Sequence, residues 1–587
     1  MTKIILYLSG AWDEAINNRI EDHDILLYAQ GLKAPKGKWK TLEIPKIPTG
    51  RESEIARWML NETSCNYTPE IQSLLECYIN DYYSYVIRPL TAAILYINNL
   101  ARENGVDQLL VISARSESNR FPVTGFQTPE SRRGSSTLLM SRLARQLPRL
   151  YPNLHVTFAY NNGDLFSREW ARIAGLRLAN AIFLIAFILR VTWLRFLLRS
   201  RIEHPKPGGN LLVVRTLHQI RFASNLGKSN SNFSIVLFPQ LTQGVGNLIG
   251  DFQKMIDGGI PVVLPSIACH ISAIRRTYKE IGAIKRVNAL RDSAPLIIDG
   301  IAMPFSMGDV EHDVRLMSLP VFYKNLLARI MKRTASKKIV NFELVGNIAG
   351  LEAMAARETE TELNTVQTAL VSAVIHPVFP LSKVFLCDGP HTRKLIQNIG
   401  VKRYGEVVFA GPPFRTYATR KCAKISRIAF FTQPYESSIT IEIIEEICTW
   451  ARESDAKIFL RLHPRDKLSI YAPLVERHSG TLIADFNPDI SVVINGVDLS
   501  ITRTSSVAKE SLALGCPILL CLWSDFDRMI NADYVVRELG KEYISFARND
   551  IRALLDNSSR LSGVAEDISS KIFEGKSVDD LAGHILS

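Results

Sequence analysis

Short apolar runs alternate along this chain with longer stretches in which apolar residues recur every three or four positions. That alternation predicts parallel strands joined by crossover helices. In the first third the expected strands are Lys3–Leu8, Asp24–Tyr28, Gln108–Ser113 and Leu154–Tyr160, with a helix over roughly Pro69 to Asn104. Segment Ala114–Ser136 carries Arg115, Arg120, Arg132 and Arg133 among serines and reads as a long polar loop, either a solvated surface or an anion site. A second series of strands is expected at Leu211–Arg215, Ser234–Phe238, Pro261–Leu264, Pro295–Ile298, Lys338–Glu343 and Val384–Cys387, ending at a basic, proline-containing connector that begins at Ala410. The third series is the most regular: strand Arg427–Phe431, helix near Ser438–Glu453, strand Lys457–Leu462, then strands near Leu482, Leu499 and Ile518. The expected class is α/β: an N-terminal α/β region over 1–170, a helix and linker over 171–205, and doubly wound, Rossmann-like domains over 206–420 and 421–587.

One stretch breaks the alternation. Between Ala171 and Ile202 there is no acidic residue, and six arginines (172, 177, 190, 195, 199 and 201) punctuate an apolar background. Its cleanest run, Leu178–Leu189, is closed by Arg190. That run is too short to cross the hydrocarbon core of a bilayer, which is about 30 Å thick. On a helical wheel the six arginines fall within half the circumference. This suits a helix lying in a membrane interface, its apolar face in lipid and its arginines on anionic headgroups. A buried interdomain helix with snorkelling arginines, or a true span, are the other readings. His204-Pro-Lys-Pro-Gly-Gly209 then reads as a linker.

Composition narrows the class further. The chain has 587 residues, of which 47% are hydrophobic and 22% charged. Those proportions exclude wholesale disorder and fibrous repeats. A mean hydropathy of +0.05 excludes a polytopic membrane protein. The formal net charge of +12 suits anionic partners without choosing among them. Eight cysteines without a C-x-x-C pair are too sparse for a disulfide framework and fit a reducing compartment. The N-terminus reads as a first strand rather than a signal peptide, so a cytoplasmic location is expected.

The chemistry is expected where the third series of strands ends, because ligands of open α/β sheets bind beyond the carboxyl ends of strands. After the first strand comes Thr432-Gln433-Pro434-Tyr435-Glu436, after the second Arg461-Leu462-His463-Pro464-Arg465-Asp466, and after the strand near Leu499 comes Thr502-Arg503-Thr504-Ser505-Ser506. Thr504, Ser505 and Ser506 open a helix; their hydroxyls and the free backbone N–H groups there suit a phosphate, although Ser and Thr also cap helices with no ligand present. His463, with Arg461 and Arg465 alternating around it, places an imidazole and a guanidinium where they could serve one phosphoryl group. His463 would donate a proton or hydrogen bond to a leaving phosphate.

The run from Phe431-Thr-Gln-Pro-Tyr through Leu462-His-Pro-Arg-Asp to Thr504-Ser-Ser-Val-Ala-Lys-Glu-Ser-Leu-Ala-Leu-Gly-Cys-Pro resembles bacterial glycosyltransferases of the GT-B fold. The likeness is greatest to capsule and lipopolysaccharide enzymes using CMP-activated sialic acid or Kdo. It covers about Ile425–Phe546 and extends weakly upstream to Phe385-Leu-Cys-Asp-Gly-Pro-His and Val408-Phe-Ala-Gly-Pro-Pro-Phe. The resemblance implies two Rossmann-like domains facing a cleft. It assigns His463 and Ser505/Ser506 to the nucleotide phosphate, Glu510 to the ribose, and Gln433 and Tyr435 to the lining of the sugar-nucleotide cleft. It implies a nucleotide-sugar substrate, CMP-linked by preference, a surface-polysaccharide or lipid-linked glycan acceptor, and no separate cofactor.

The acidic motif that supplies the general base in those sialyltransferases has no clean copy, since Asp299-Gly300 and Asp388-Gly389 each lack the preceding acid. Strand-end placement then ranks Glu343 first as base and Asp299 second. No metal site is expected: Asp525-Phe-Asp527 and Asp22-His-Asp24 have only the bare Asp-x-Asp spacing, and there is no H-E-x-x-H and no P-loop. Nor is nucleic acid expected, for want of interleaved aromatic and basic residues. A CDP-glycerol-type glycerophosphotransferase, a sugar-nucleotide 2-epimerase and a non-catalytic scaffold of polysaccharide export are the alternatives. The expected place of work is the inner face of the plasma membrane.

Overall fold

The computed structural model of the chain describes residues 2–9, 12, 14–29, 32, 37–44, 51–65, 82–114, 129–161, 169–197, 208–214, 219, 223, 233–237, 262–284, 294–305, 318–342, 347–368, 371, 382–398, 404–413, 416–422, 424–463, 466–487, 489–531 and 543–586. Among these, three parallel sheets follow one another along the chain.

The first sheet holds β1 (Ile4–Tyr7), β2 (Ile25–Tyr28), β3 (Lys40–Glu43), β4 (Gln108–Ala114) and β5 (His155–Asn161) in the order β3-β2-β1-β4-β5. Every pairing in it is parallel. The β1 run Ile-Ile-Leu-Tyr is buried at all four positions, as a central parallel strand covered on both faces must be. The N-terminal region is thus itself a doubly wound sheet, more than its strand pattern had indicated. Strand β3, Lys-Thr-Leu-Glu, escapes a hydrophobic reading because it is an exposed edge strand. Of the helix expected from Pro69, residues 69–81 lie outside the described residues; a π-helical turn, Tyr83–Ile87, then leads into α1 (Arg88–Glu103). Of the expected loop at Ala114–Ser136, 115–128 lie outside them, and from Pro129 the chain is helical in α2 (Pro129–Leu150). Arginines and serines on its first turns disguise that helix as a loop.

The second sheet comprises β6 (Asn210–Val214), β7 (Phe233–Leu237), β8 (Val262–Val263), β11 (Lys338–Asn341), β12 (Glu362–Val366), β13 (Ser382–Cys387) and β14 (Tyr404–Phe409), ordered β14-β13-β12-β11-β6-β7-β8. The expected strand at Pro295–Ile298 is not part of it. Residues Ile297–Ile298 (β9) and Ile301–Ala302 (β10) form a separate antiparallel hairpin. Asp299 and Gly300 make its turn with φ of +51° and +79° respectively (φ 51 and φ 79). That is the left-handed pair which a two-residue Asp-Gly hairpin loop requires. Around this sheet lie α3 (Glu169–Leu197), α4 (Ile267–Ile284), α5 (Ser318–Thr334) and α6 (Asn347–Glu358). Side chains from α3, α5 and α6 join those of the first sheet in one continuous apolar core, including Leu6, Val111, Val191, Phe322 and Leu351. The first two units therefore share their interior.

The third sheet orders β15 (Arg427–Phe431), β16 (Lys457–Arg461), β17 (Leu482–Asp485), β18 (Leu499–Thr502), β19 (Ile518–Cys521) and β20 (Ile544–Ser545) as β17-β16-β15-β18-β19-β20. Its helices include α7 (Ser437–Ser454), α8 (Leu468–Arg477), α9 (Val507–Ala513), α10 (Asp525–Asn531) and α11 (Ser558–Phe573). The last helix, α12 (Val578–Leu586), leaves this unit: Leu581 and Ile585 pack with Val214 and Val340 of the second sheet. A boundary at 421–587 therefore overextends the third unit, because amphipathic periodicity shows that a helix has an apolar face but not which sheet covers it.

The connector into the third unit is seated on the end of α9. Tyr417 N–H donates to Ala513 O at 2.6 Å and Arg420 N–H to Gly515 O at 2.8 Å. Gly515 takes a positive φ, and a Cβ there would run into the Ala418 carbonyl. Gly515→Ala combines backbone strain with that clash and is expected to cost roughly 2 kcal/mol or more. A thermal denaturation midpoint unchanged from wild type would show that the connector does not need this close approach.

Candidate functional site

Sheet order picks out one place in the third unit. Strands β15, β16 and β17 run outward one way and β18, β19 and β20 the other, so the order reverses between β15 and β18. That switch point is where open α/β sheets leave a crevice beyond the strand ends. Gln433 and Tyr435 follow β15, Thr504 to Ser506 follow β18, and His463 follows the adjacent β16. Hydrogen bonds tie these ends together: Thr432 N–H donates to Arg461 O at 3.0 Å, His463 N–H to Thr432 Oγ1 at 2.9 Å, and Thr502 Oγ1 to Phe431 O at 3.1 Å.

Arg503 is the side chain around which the switch point is organised. It is 0% exposed, and its Nε lies 3.1 and 3.0 Å from the two carboxylate oxygens of Asp527. Its Nη2 pairs with Glu436 Oε2 and donates to Ser524 Oγ at 3.2 Å. Its Nη1 donates to the carbonyls of Tyr435 (3.1 Å) and Glu436 (3.2 Å) and to Thr440 Oγ1 (3.2 Å). Burial alone would push the guanidinium down; the Asp527 charge, the Tyr435 hydroxyl and the hydrogen bonds to Asp527 and Glu436 together outweigh it and hold Arg503 above its ordinary value. The guanidinium also lies 4.9 Å from the Tyr435 ring centre, and Phe526 meets that ring edge-on at 4.7 Å. A cation against an aromatic face is attracted by the ring quadrupole. Tyr435 Oη hydrogen-bonds Thr504 Oγ1 across the two loops. Glu436 takes a left-handed backbone conformation as it enters α7, and its contacts with Arg503 hold it there.

Two polar atoms near this face have no hydrogen-bond partner among the described residues: Gln433 Nε2, on a side chain more than nine-tenths buried, and Asp485 Oδ2 at the end of β17. Buried polar groups are normally satisfied, so both suit a ligand. Ser505 and Ser506 divide their roles. Ser505 Oγ accepts from Val507 N–H at 3.3 Å, a local capping contact, whereas Ser506, at the N-cap of α9, makes no side-chain cap bond. Glu510 is buried in the first turn of the same helix. Beside it, Lys509 Nζ reaches Asp388 Oδ1 at 2.6 Å, linking the third unit to the loop after β13 of the second. Asp388 N–H in turn donates to Gln367 Oε1 at 3.0 Å.

The remaining candidates fall elsewhere. Arg465 and Glu343 lie outside the described residues. Asp299 is exposed on the β9–β10 turn and pairs with Arg51, instead of ending a parallel strand. The Asp-Gly dipeptide is a turn signal that a strand-end argument overlooks. Asp527, one half of an Asp-x-Asp spacing, is the ion-pair partner of Arg503. Asp24, half of the other, is 1% exposed and pairs with Lys3 at 3.3 Å. Among the described residues no cluster of three His, Cys, Asp or Glu side chains could hold a metal ion. Arg503 and Asp485 were missed by sequence reasoning. An arginine directly after an apolar strand, with Glu436 and Asp527 distant in sequence, carries no local signal.

No protein-family model and no curated protein matches the sequence. Solved structures resembling the fold include CalG4, the calicheamicin glycosyltransferase, at 11% identity and a TM-score of 0.39, covering 64% of this chain and 97% of that one. UDP-GlcNAc 2-epimerase from Neisseria meningitidis bound to UDP-GlcNAc matches at 9% identity and 0.40, covering 64% and 98%. UGT89C1 of Arabidopsis thaliana complexed with UDP matches at 10% and 0.40, covering 65% and 100%. Likenesses of this extent carry no argument about chemistry, which has to be built from the side chains.

Arg503→Met should leave the Asp527 carboxylate buried without its counter-charge, at a cost of about 3–5 kcal/mol. Adding Asp527→Leu should recover part of that loss, because the stranded charge is then gone. Unfolding curves of the two variants check this: a double variant no more stable than Arg503→Met would mean that the ion pair is not the origin of the loss.

Proposed function

We propose that the chain is a GT-B-type glycosyltransferase that moves a sugar from a nucleotide-activated substrate, a CMP-sugar by preference, to a surface-polysaccharide or lipid-linked glycan acceptor. The observation that carries this reading is the gathering of Gln433, Tyr435, His463, Thr504 and Ser506 at the β15/β18 switch point, with the buried Gln433 amide nitrogen lacking a partner among the described residues. In this reading Gln433, Tyr435 and Glu510 bind the nucleoside, while Thr504, Ser505, Ser506 and Arg465 surround its phosphate. Glu343, two positions in sequence beyond Asn341 at the end of β11, takes the proton of the acceptor hydroxyl. The freed oxygen attacks the anomeric carbon, the bond from that carbon to the phosphate oxygen breaks, and His463 stabilises the departing phosphate by donating to it. Metal independence belongs to the same reading, since these side chains carry the stabilisation. So does peripheral attachment to the inner face of the plasma membrane through Ala171–Ile202.

A thermal-shift series with CMP, CDP, UDP, GDP and dTDP tests the first step. CMP should raise the midpoint most. Protection by none of them would favour a non-catalytic scaffold, and turnover of CDP-glycerol but of no sugar nucleotide would favour a glycerophosphotransferase. In the transferase, His463→Ala should lower turnover about 10²–10⁴-fold with the fold intact. A folded variant at wild-type rate removes His463 from the mechanism.

The two serines should separate. Ser505→Ala, whose lost hydroxyl accepts from Val507 N–H, is expected to cost about 1 kcal/mol of stability and to weaken nucleotide binding less than Ser506→Ala does. Ser506→Ala should weaken nucleotide binding by about 1–3 kcal/mol with stability nearly unchanged. Calorimetric titration with CMP beside melting curves reads both, and identical behaviour of the two variants would contradict the division.

A further inference from the structure

Nine of the large apolar side chains exposed in this structure lie on two helices. On α3 they are Leu178, Ile182, Ile185, Leu189, Trp193 and Phe196, between 43% and 64% exposed. At roughly 100° per residue these six fall within about 80° of one another, a row about 27 Å long. On α4 they are Ile267, Ile271 and Tyr278, between 47% and 74% exposed. These three lie within about 40° of one another. Scattered exposed leucines mean little, but aligned rows on neighbouring helices mark an interaction surface.

Both helices are fixed to α5. Phe187 of α3 meets the Phe322 ring edge-on at 6.1 Å, and His270 of α4 stacks on the same ring at 6.2 Å. Arg195, near the end of α3, donates to Leu264 O just before α4 at 2.5 Å, and Arg333 of α5 donates to Ser266 Oγ at 3.2 Å. Lys324 of α5 binds Glu280 of α4 at 2.9 Å. The end of α3, the start of α4 and the end of α5 thus meet at one corner, and exposed cations lie at that corner and along α4. Arg329, Lys332 and Arg333 on α5 are exposed, as are Arg275 and Lys279, which flank the α4 row.

We propose that α3 and α4 together form a two-helix platform that seats the protein on an anionic lipid bilayer, with the cations of α4 and α5 at the headgroup phosphates. This deepens, and rests on, the reading of Ala171–Ile202 as membrane-facing, and it adds a helix and a cationic corner that the sequence did not single out. Charge decides the occupant. Apolar rows bordered by exposed lysine and arginine complement an anionic interface. A second copy of this chain would bring the same cations face to face. No helix among the described residues is long and apolar enough to cross a membrane, and α3 is packed along one side by Phe187, Val191 and Leu194, so the platform lies on the bilayer.

The test is co-sedimentation of the full chain with vesicles of phosphatidylcholine alone and of phosphatidylcholine with phosphatidylglycerol, beside its oligomeric state by light scattering. Wild type should bind the phosphatidylglycerol vesicles more tightly, and salt should weaken that binding. Ile185→Glu with Leu189→Glu, and separately Ile271→Glu with Tyr278→Glu, should each weaken it by roughly tenfold or more. These side chains are exposed, so melting curves and nucleotide binding should match wild type. Unchanged vesicle binding by the Ile271/Tyr278 variant would overturn the two-helix platform, as would a wild type indifferent to phosphatidylglycerol. A dimer that either variant converts to monomer would overturn it too, making the face a self-interface. Failure of the nucleotide series leaves this test untouched, so the two readings fall separately.

Discussion

The candidate site depends on one buried cation. A guanidinium with no exposure is tolerable only where carboxylates and carbonyls surround it. Arg503 has Asp527, Glu436, Ser524, Thr440 and two backbone carbonyls. These partners come from the β15–α7 loop, the start of α7, and the first turn of α10 with Ser524 just before it, so one side chain fixes three segments with respect to β18. It also settles the aromatic geometry, because the Tyr435 ring lies against the guanidinium on one side and meets Phe526 on another. Side chains at strand ends are useful for chemistry only when their loops are held, and here an ion pair does the holding.

That arrangement explains how much of the site was legible in the sequence. The apolar strands of the third unit are short and evenly spaced, and their ends could be read directly, which placed Gln433, Tyr435, His463 and Thr504 together. What cannot be read is which charged residue satisfies which. Arg503 lies 24 positions from Asp527 and 67 from Glu436, and Lys509 meets Asp388 over 121, distances across which periodicity carries no information. Asp527 therefore shows only a bare Asp-x-Asp spacing in the sequence, and Asp388 only an acid-glycine pair without the preceding acid. Both are committed to cations. The strand-end placement of Asp299 differs for the opposite reason: its local signal, Asp-Gly, is strong, but it describes a hairpin turn rather than a parallel strand's end.

Fold legibility followed burial in the same way. Strands covered on both faces, such as β1, β4 and β15, announce themselves as unbroken apolar runs. Segments whose environment is mixed do not. Edge strand β3 is polar, α2 opens with arginines and serines, and α12 has an apolar face whose partner, the second sheet, lies far back along the chain. The third sheet could be traced almost strand for strand; the edges and the crossings between units could not.

The basic helix shows that composition alone does not settle how a helix is oriented. A stretch with six arginines and no acid reads as arginines outward to headgroups, with the apolar side against lipid or core. In the structure α3 packs its Phe187–Val191–Leu194 side against the protein, with Arg195 spent on a backbone carbonyl and Arg190 half-buried, where burial pushes its guanidinium down. The row that faces outward is Leu178 through Phe196. Two faces of one helix are therefore apolar, and Arg190 and Arg195 occupy the flanks between them, which is why its pattern of apolar positions alone could not orient it. A doubly apolar helix in water needs a second cover. The exposed cations that would direct such a cover are supplied from α4 and α5, so the charge relevant to the surface lies outside the segment whose sequence first drew attention to it.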